Sequence, residues 1–198
     1  MQDAFQIVAR PDSFLYVASN DVDHNILVFK FINDTVTTVP VPATGVYPRQ
    51  QTGKNSIWGI AVDRNGYVYV CNDTTTGKTD DIKIYPPITQ WTSTHADAPL
   101  KTIDLPNGIY KGIGVSPDGK QLFVSDFVNR KVLKYAGSPT TGYTPVPGFS
   151  FALGPADTVT GSAFLPVPLA VQVLSPNNIL FVACDAYGFT SSTMGTYQ

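Results

Sequence analysis

Five side chains with oxygen or amide donors fall just after similar β-rich segments along the chain: Asn20, Asn72, Asp73, Asp126 and Asp185. Carboxylate and amide oxygens that converge from separate segments suit a hard cation such as Ca²⁺. Asn72, Asp126 and Asp185 form the candidate metal set. The same residue types also cap turns by bonding their side chains to nearby backbone amides, a role that needs no ligand. Trp91, in the polar stretch Thr89–Asp97, adds an aromatic ring that either grips a sugar or partner, or anchors its own loop.

Other chemistries find less support. His24 and His95 are the two histidines, and each lies near an aspartate, Asp23 and Asp97. Proximity in sequence does not orient a base toward a nucleophile, and no Gly-x-Ser-x-Gly elbow is present. The pair Asp80-Asp81 reads as a solvated turn rather than as two carboxylates across a glycosidase cleft. Cys71 and Cys184 lack zinc spacing and read as small buried thiols. Asn33 and Asn72 each open an Asn-x-Thr glycosylation acceptor.

The formal net charge of -2 gives no basic footprint for nucleic acid. The group Asn129-Arg130-Lys131 with Lys134 reads as a solvated strand face. Apolar runs are strand-sized, so no membrane span is expected. The start Met1-Gln2-Asp3-Ala4-Phe5 is not that of a signal peptide. Low charge, at 14% of residues, and a Thr/Gly/Pro-rich composition suit an extracellular or cell-surface setting.

The elements that must hold these residues repeat. Arg10-Pro11-Asp12-Ser13, Asp63-Arg64-Asn65-Gly66, Ser116-Pro117-Asp118-Gly119 and Ser175-Pro176-Asn177-Asn178 are hairpin turns whose second residues lie 53, 53 and 59 positions apart. Pro presets φ early in such a turn, and Gly or Asn accepts positive φ late. Before each turn runs a strand A: Phe5–Ala9, Trp58–Val62, Gly112–Val115 and Ala170–Leu174. After it comes a strand B: Phe14–Ala18, Tyr67–Cys71, Gln121–Ser125 and Ile179–Ala183. Strand B is large on both faces, as in Leu15, Val68, Leu122 and Leu180 beside Tyr16, Tyr69, Phe123 and Phe181, which predicts cover on both sides. Strand C is Ile26–Phe31, Ile82–Tyr85 and Lys131–Tyr135, with one wetter face. Strand D is Thr35–Val41, Leu100–Leu105 and Phe149–Leu153. Gly59, Gly112 and Gly114 in strand A predict close backbone approach. All 15 acidic residues are Asp, and the scarcity of helix formers beside 16 Gly and 16 Pro agrees with an all-β chain.

A period of this size with four strands per unit predicts an all-β β-propeller of about four antiparallel four-stranded blades, the last incomplete. The units are approximately 5–53, 54–108, 109–168 and 169–198, in a single domain or a propeller fragment. Gly112-Ile113-Gly114-Val115-Ser116-Pro117-Asp118-Gly119 with Leu122-Phe123-Val124-Ser125-Asp126, and Trp58-Gly59-Ile60-Ala61-Val62-Asp63 with Gly66-Tyr67-Val68-Tyr69-Val70, resemble the core phrase of NHL, YVTN and SMP-30/gluconolactonase-like propellers. The resemblance implies the fold. In its SMP-30 branch it also implies a divalent metal held by one Glu with Asn and Asp, and this chain has no Glu.

The functional expectation is therefore a non-enzymatic β-propeller binding and assembly module. Its partner is protein, and it self-associates through an open blade edge into a ring or filament. It needs no cofactor, although Ca²⁺ or another divalent cation suits the donor set. The alternative is a metal-dependent lactonase-like hydrolase. An unfinished last blade leaves three forms open: a fragment of a larger propeller, a compact four-bladed ring, or a subunit completed by another chain.

Overall fold

The structure, a computed structural model, describes residues 4–10, 14–19, 26–32, 35–38, 56–73, 80–91, 99–152, 166–174, 179–186 and 192–197. Among them the strands form four antiparallel sheets, each running in chain order. Sheet 1 is β1 (Ala4–Ala9), β2 (Phe14–Ser19), β3 (Ile26–Ile32) and β4 (Thr35–Thr38). Sheet 2 is β5 (Ser56–Val62), β6 (Val68–Asp73), β7 (Asp81–Tyr85) and β8 (Lys101–Asp104). Sheet 3 is β9 (Tyr110–Val115), β10 (Gln121–Asp126), β11 (Lys131–Ser138) and β12 (Gly142–Ala152). Sheet 4 is β13 (Pro166–Leu174), β14 (Ile179–Ala186) and β15 (Ser192–Tyr197).

The two fully described hairpin turns are built by the residues that sequence singles out. Asp63 accepts the Gly66 N–H on its carbonyl at 3.1 Å and the Tyr67 N–H on Oδ1 at 3.0 Å. In the next turn the Ser116 carbonyl accepts the Gly119 N–H at 2.8 Å, and Ser116 Oγ donates to Asp118 Oδ1 at 2.6 Å. Gly119 sits at φ +71°, where an L side chain is strained.

The core explains why strand B has two apolar faces. Successive positions of a strand point to opposite sides. Val68 and Val70 pack with Tyr16, Ala18, Ile26 and Val28 of sheet 1, whereas Tyr69 and Cys71 pack with Ile113, Leu122 and Val124 of sheet 3. Sheet 3 repeats the arrangement: Phe123 and Val132 turn toward Val171, Leu180 and Val182 of sheet 4. Each sheet is thus stacked face to face on the next. Full burial of each such aliphatic side chain is worth roughly 1.5–3 kcal/mol.

Two expectations need revision. The outer strand of sheet 3 runs from Gly142, not from Phe149. Its prolines, Pro145 and Pro147, are tolerated because β12 is an edge strand with one ladder to satisfy. Asp80 is not a solvated turn residue. It is 6% exposed, and its Oδ2 accepts the Tyr110 N–H of the next sheet at 3.0 Å.

Strands β1, β5, β9 and β13 are innermost, and β5 packs on β1, β9 on β5 and β13 on β9. Gly59 permits the β5–β9 approach: a Cβ there would lie 2.6 Å from the Lys111 carbonyl oxygen. Gly114 does the same toward Val171. Among the described residues, strands β1 and β13, at the two ends of this arc, show no packing of comparable extent.

Candidate functional site

The four innermost strands line a cavity of about 170 Å³, at Gln6–Ala9, Ile60–Val62, Ile113–Val115 and Val171–Val173. Apart from the amides of Gln6 and Gln172, the side chains on this lining are apolar or absent. Gln6 is partly spent on structure, since its Oε1 accepts the Ile60 N–H at 3.1 Å and ties sheet 1 to sheet 2.

At the end of the cavity where the B strands finish, the pairing between strands A and B slips by one residue in every sheet. The ladder passes from Ala4 to Gln6, from Ile57 to Gly59, from Gly112 to Tyr110 and from Pro168 to Ala170. The residues skipped are Phe5, Trp58, Lys111 and Leu169, spaced 53, 53 and 58 apart. A β-bulge of this kind takes a residue out of the ladder and re-aims it. The register shift recurs once in each sheet.

Two of these side chains meet. Lys111 Nζ lies 4.4 Å from the ring centroid of Trp58 and 4.3 Å from that of Phe127, which follows β10. An ammonium within about 6 Å of an aromatic face is attracted by the ring quadrupole. Phe127 is held by its N–H, which donates to the Ile109 carbonyl at 2.8 Å. Beside it Ile109 is 41% exposed and Val128 is 55% exposed.

The residues singled out from sequence fall in different places. Asn20 lies outside the described residues. Strand pairing puts Asn72 and Asp126 at one register level, directly beside the bulges, and Asp73 and Asp185 one position further on. Asp126 accepts the Asn129 backbone N–H on Oδ1 at 3.0 Å and the Asn129 amide on Oδ2 at 2.8 Å, which closes the turn into β11. Tyr110 lies against Asp126, and burial, reinforced by that carboxylate, pushes its hydroxyl well above the ordinary tyrosine range.

Asn72 is fully buried, so it offers no room for a glycan. It faces Asp81 across β6 and β7. Neither of its amide atoms reaches a partner in good hydrogen-bond geometry, nor does Asp81 Oδ1, although the amide lies near enough to steady that carboxyl. Burial raises the Asp81 pKa, and Lys83, 3.5 Å away, opposes the rise. Trp91 is at the opposite end of the sheets. It is 7% exposed, donates its indole N–H to the Pro86 carbonyl at 2.6 Å and packs edge-on to Tyr85, so its ring is an anchor inside the core.

The bulge residues were missed in the sequence because an A–B register is a property of two strands together. The available signal was the break in alternation where the large residues Phe5, Trp58, Lys111 and Leu169 precede Gln6, Gly59, Gly112 and Ala170.

No protein-family model and no curated protein matches the chain. Solved structures do. A functionally unknown protein from Desulfotomaculum acetoxidans superimposes over 99% of this chain and 55% of its own, with TM-score 0.59 at 13% identity. The Cps50 (Swd1) β-propeller domain of Myceliophteria thermophila matches over 96% of this chain and 55% of its own, with TM-score 0.55 at 10% identity. A putative 6-phosphogluconolactonase from Bacteroides fragilis covers 75% of this chain and 39% of its own, with TM-score 0.54 at 14% identity. The chain thus spans about half the length, or less, of these structures. At such identities the likeness speaks for architecture alone, and that architecture is the β-propeller.

Proposed function

We propose that the chain is a non-enzymatic β-propeller module for binding and assembly, associating with further copies of itself through an open edge into a ring or filament, in an extracellular or cell-surface setting. The observation that carries this reading is the pair of unmatched ends of the arc. Ile7 of β1 is 60% exposed, where the equivalent Ile60 and Ile113 are fully buried by the neighbouring sheet. In sheet 4 the outermost described strand, β15, leaves one edge unpaired among the described residues, as β4, β8 and β12 do in theirs. Open strand edges and uncovered apolar faces are templates for another chain.

The lactonase-like alternative needs donors free to converge on one ion. Asp126, the most completely described of them, already spends both oxygens on Asn129. The test is the native mass across a range of concentrations. Association predicts masses at multiples of 21.4 kDa, reduced toward the single value by Ile7→Lys. A single-chain mass at every concentration overturns the reading.

A further inference from the structure

The bulge level of the axial end holds a cation set between two aromatic rings. Lys111 is lifted out of the β9 ladder and placed at 4.4 and 4.3 Å from the Trp58 and Phe127 centroids, all three residues being partly exposed. Other lysines are used differently. Lys83 and Lys120 face the carboxylates of Asp81 and Asp118. Lys30 and Lys134 lie over rings at longer range, 5.3–5.7 Å, on β3 and β11, the third strands of their sheets. Among the described residues no carboxylate pairs with Lys111, and the nearby Asp126 is committed to the Asn129 turn.

Contacts with ring faces leave ammonium hydrogens free to donate. They also hold a long side chain in place before any ligand arrives, which lowers the ordering cost of binding. Ile109 and Val128 add exposed apolar surface beside Phe127. We propose that Lys111, held between Trp58 and Phe127, is a recognition site for an organic anion, a carboxylate or phosphate carried on an apolar body. The charged group hydrogen-bonds to the ammonium, and the apolar body lies against Phe127, Ile109 and Val128. The site goes beyond self-association and does not depend on it.

The two tryptophans provide the readout. Phenylacetate and phenyl phosphate, each titrated into ¹⁵N-labelled protein, shift the indole resonance of Trp58 and leave that of Trp91 in place. The relative affinities tell which anion the site prefers. Phenylacetamide, of the same shape without the charge, binds at least tenfold more weakly. Lys111→Met lowers anion affinity about tenfold or more, as expected for loss of a charge-assisted hydrogen bond, and Lys111→Arg keeps it within about threefold. Equal binding of the amide and the anions, an unmoved Trp58 resonance, or an unchanged titration in folded Lys111→Met overturns the proposal.

Discussion

The two ends of the sheets are built from the same strands and put their polar groups to different use. At the A–B turn end, neighbouring sheets are laced together. The Arg10 guanidinium donates to the Arg64 carbonyl at 3.0 Å, and the Arg64 N–H donates to the Pro117 carbonyl at 2.9 Å. Below them the Tyr69 hydroxyl donates to Asp63 Oδ2 at 3.0 Å and meets the Tyr143 hydroxyl at 3.0 Å, and Tyr143 donates to the Gly119 carbonyl. Asp63 is 2% exposed, and burial raises its carboxyl above the ordinary range. At the bulge end, each inner strand releases a residue from the ladder, and Lys111, Trp58, Phe127, Ile109 and Val128 stay partly open to solvent. Both ends join sheets, the bulge end through Asp80 and Tyr110, but only the bulge end also presents re-aimed side chains to solvent. Substitutions at the two ends should therefore differ sharply in their cost to stability.

The largest effect is expected at Gly119. A Cβ there would lie 2.5 Å from Asp63 Oδ2 and 3.2 Å from the Tyr69 hydroxyl, on a backbone at φ +71°. Left-handed strain alone costs an L residue about 1–2 kcal/mol, and displacement of a buried, bonded carboxylate adds to it. Gly119→Ala should lose about 3 kcal/mol in chemical denaturation. A loss under about 1 kcal/mol would show that the turn end is looser than its contacts imply, and the contrast between the ends would fail.

Next comes the tyrosine pair. Tyr143→Phe removes the hydroxyl that donates to the Gly119 carbonyl and meets that of Tyr69, leaving a buried carbonyl unpaired at a cost of about 1–3 kcal/mol. The same pair sets the response to alkali. Burial pushes the Tyr143 pKa up to about 12 and Tyr69 higher still, against about 10 for tyrosine in an unfolded chain. The folded state thus keeps protons that the unfolded state releases. The associated stability is fully present below about pH 10 and is lost as pH climbs through the folded values. Denaturation midpoints compared at pH 8 and pH 11 should show a steep loss in the parent and a shallower one in Tyr143→Phe. Parallel losses would mean that the pair does not govern alkaline unfolding.

Much of the turn end was legible in the sequence, because its chemistry is local. Asp63 to Gly66 and Ser116 to Gly119 carry the residues their turns require, and the strand B column of Val68, Leu122 and Leu180 announces a strand covered on both faces. The bulge end was less legible because its logic runs between strands. Asp80 looks solvated beside Asp81 until β9 brings the Tyr110 N–H to it from 30 residues away. Asn72, Asp73, Asp126 and Asp185 look like one recurring position until pairing divides them between two levels. Lys111 looks like any strand lysine until the ladder is seen to skip it.

The smallest effect is expected at Lys111 itself. Its ammonium contributes cation–π contacts at a partly exposed site, worth about 0.5–1 kcal/mol. Lys111→Met keeps a long apolar stem against the same two rings, where the thioether makes favourable sulfur–aromatic contacts that recover part of that sum. The net change in unfolding free energy should stay within about 0.5 kcal/mol, the range of ordinary surface substitutions. Urea denaturation of Lys111→Met beside Gly119→Ala measures the contrast directly. A loss at Lys111 as large as that at Gly119 would mean that the bulge end is a structural joint, and that its re-aimed residues hold the sheets together rather than face a ligand.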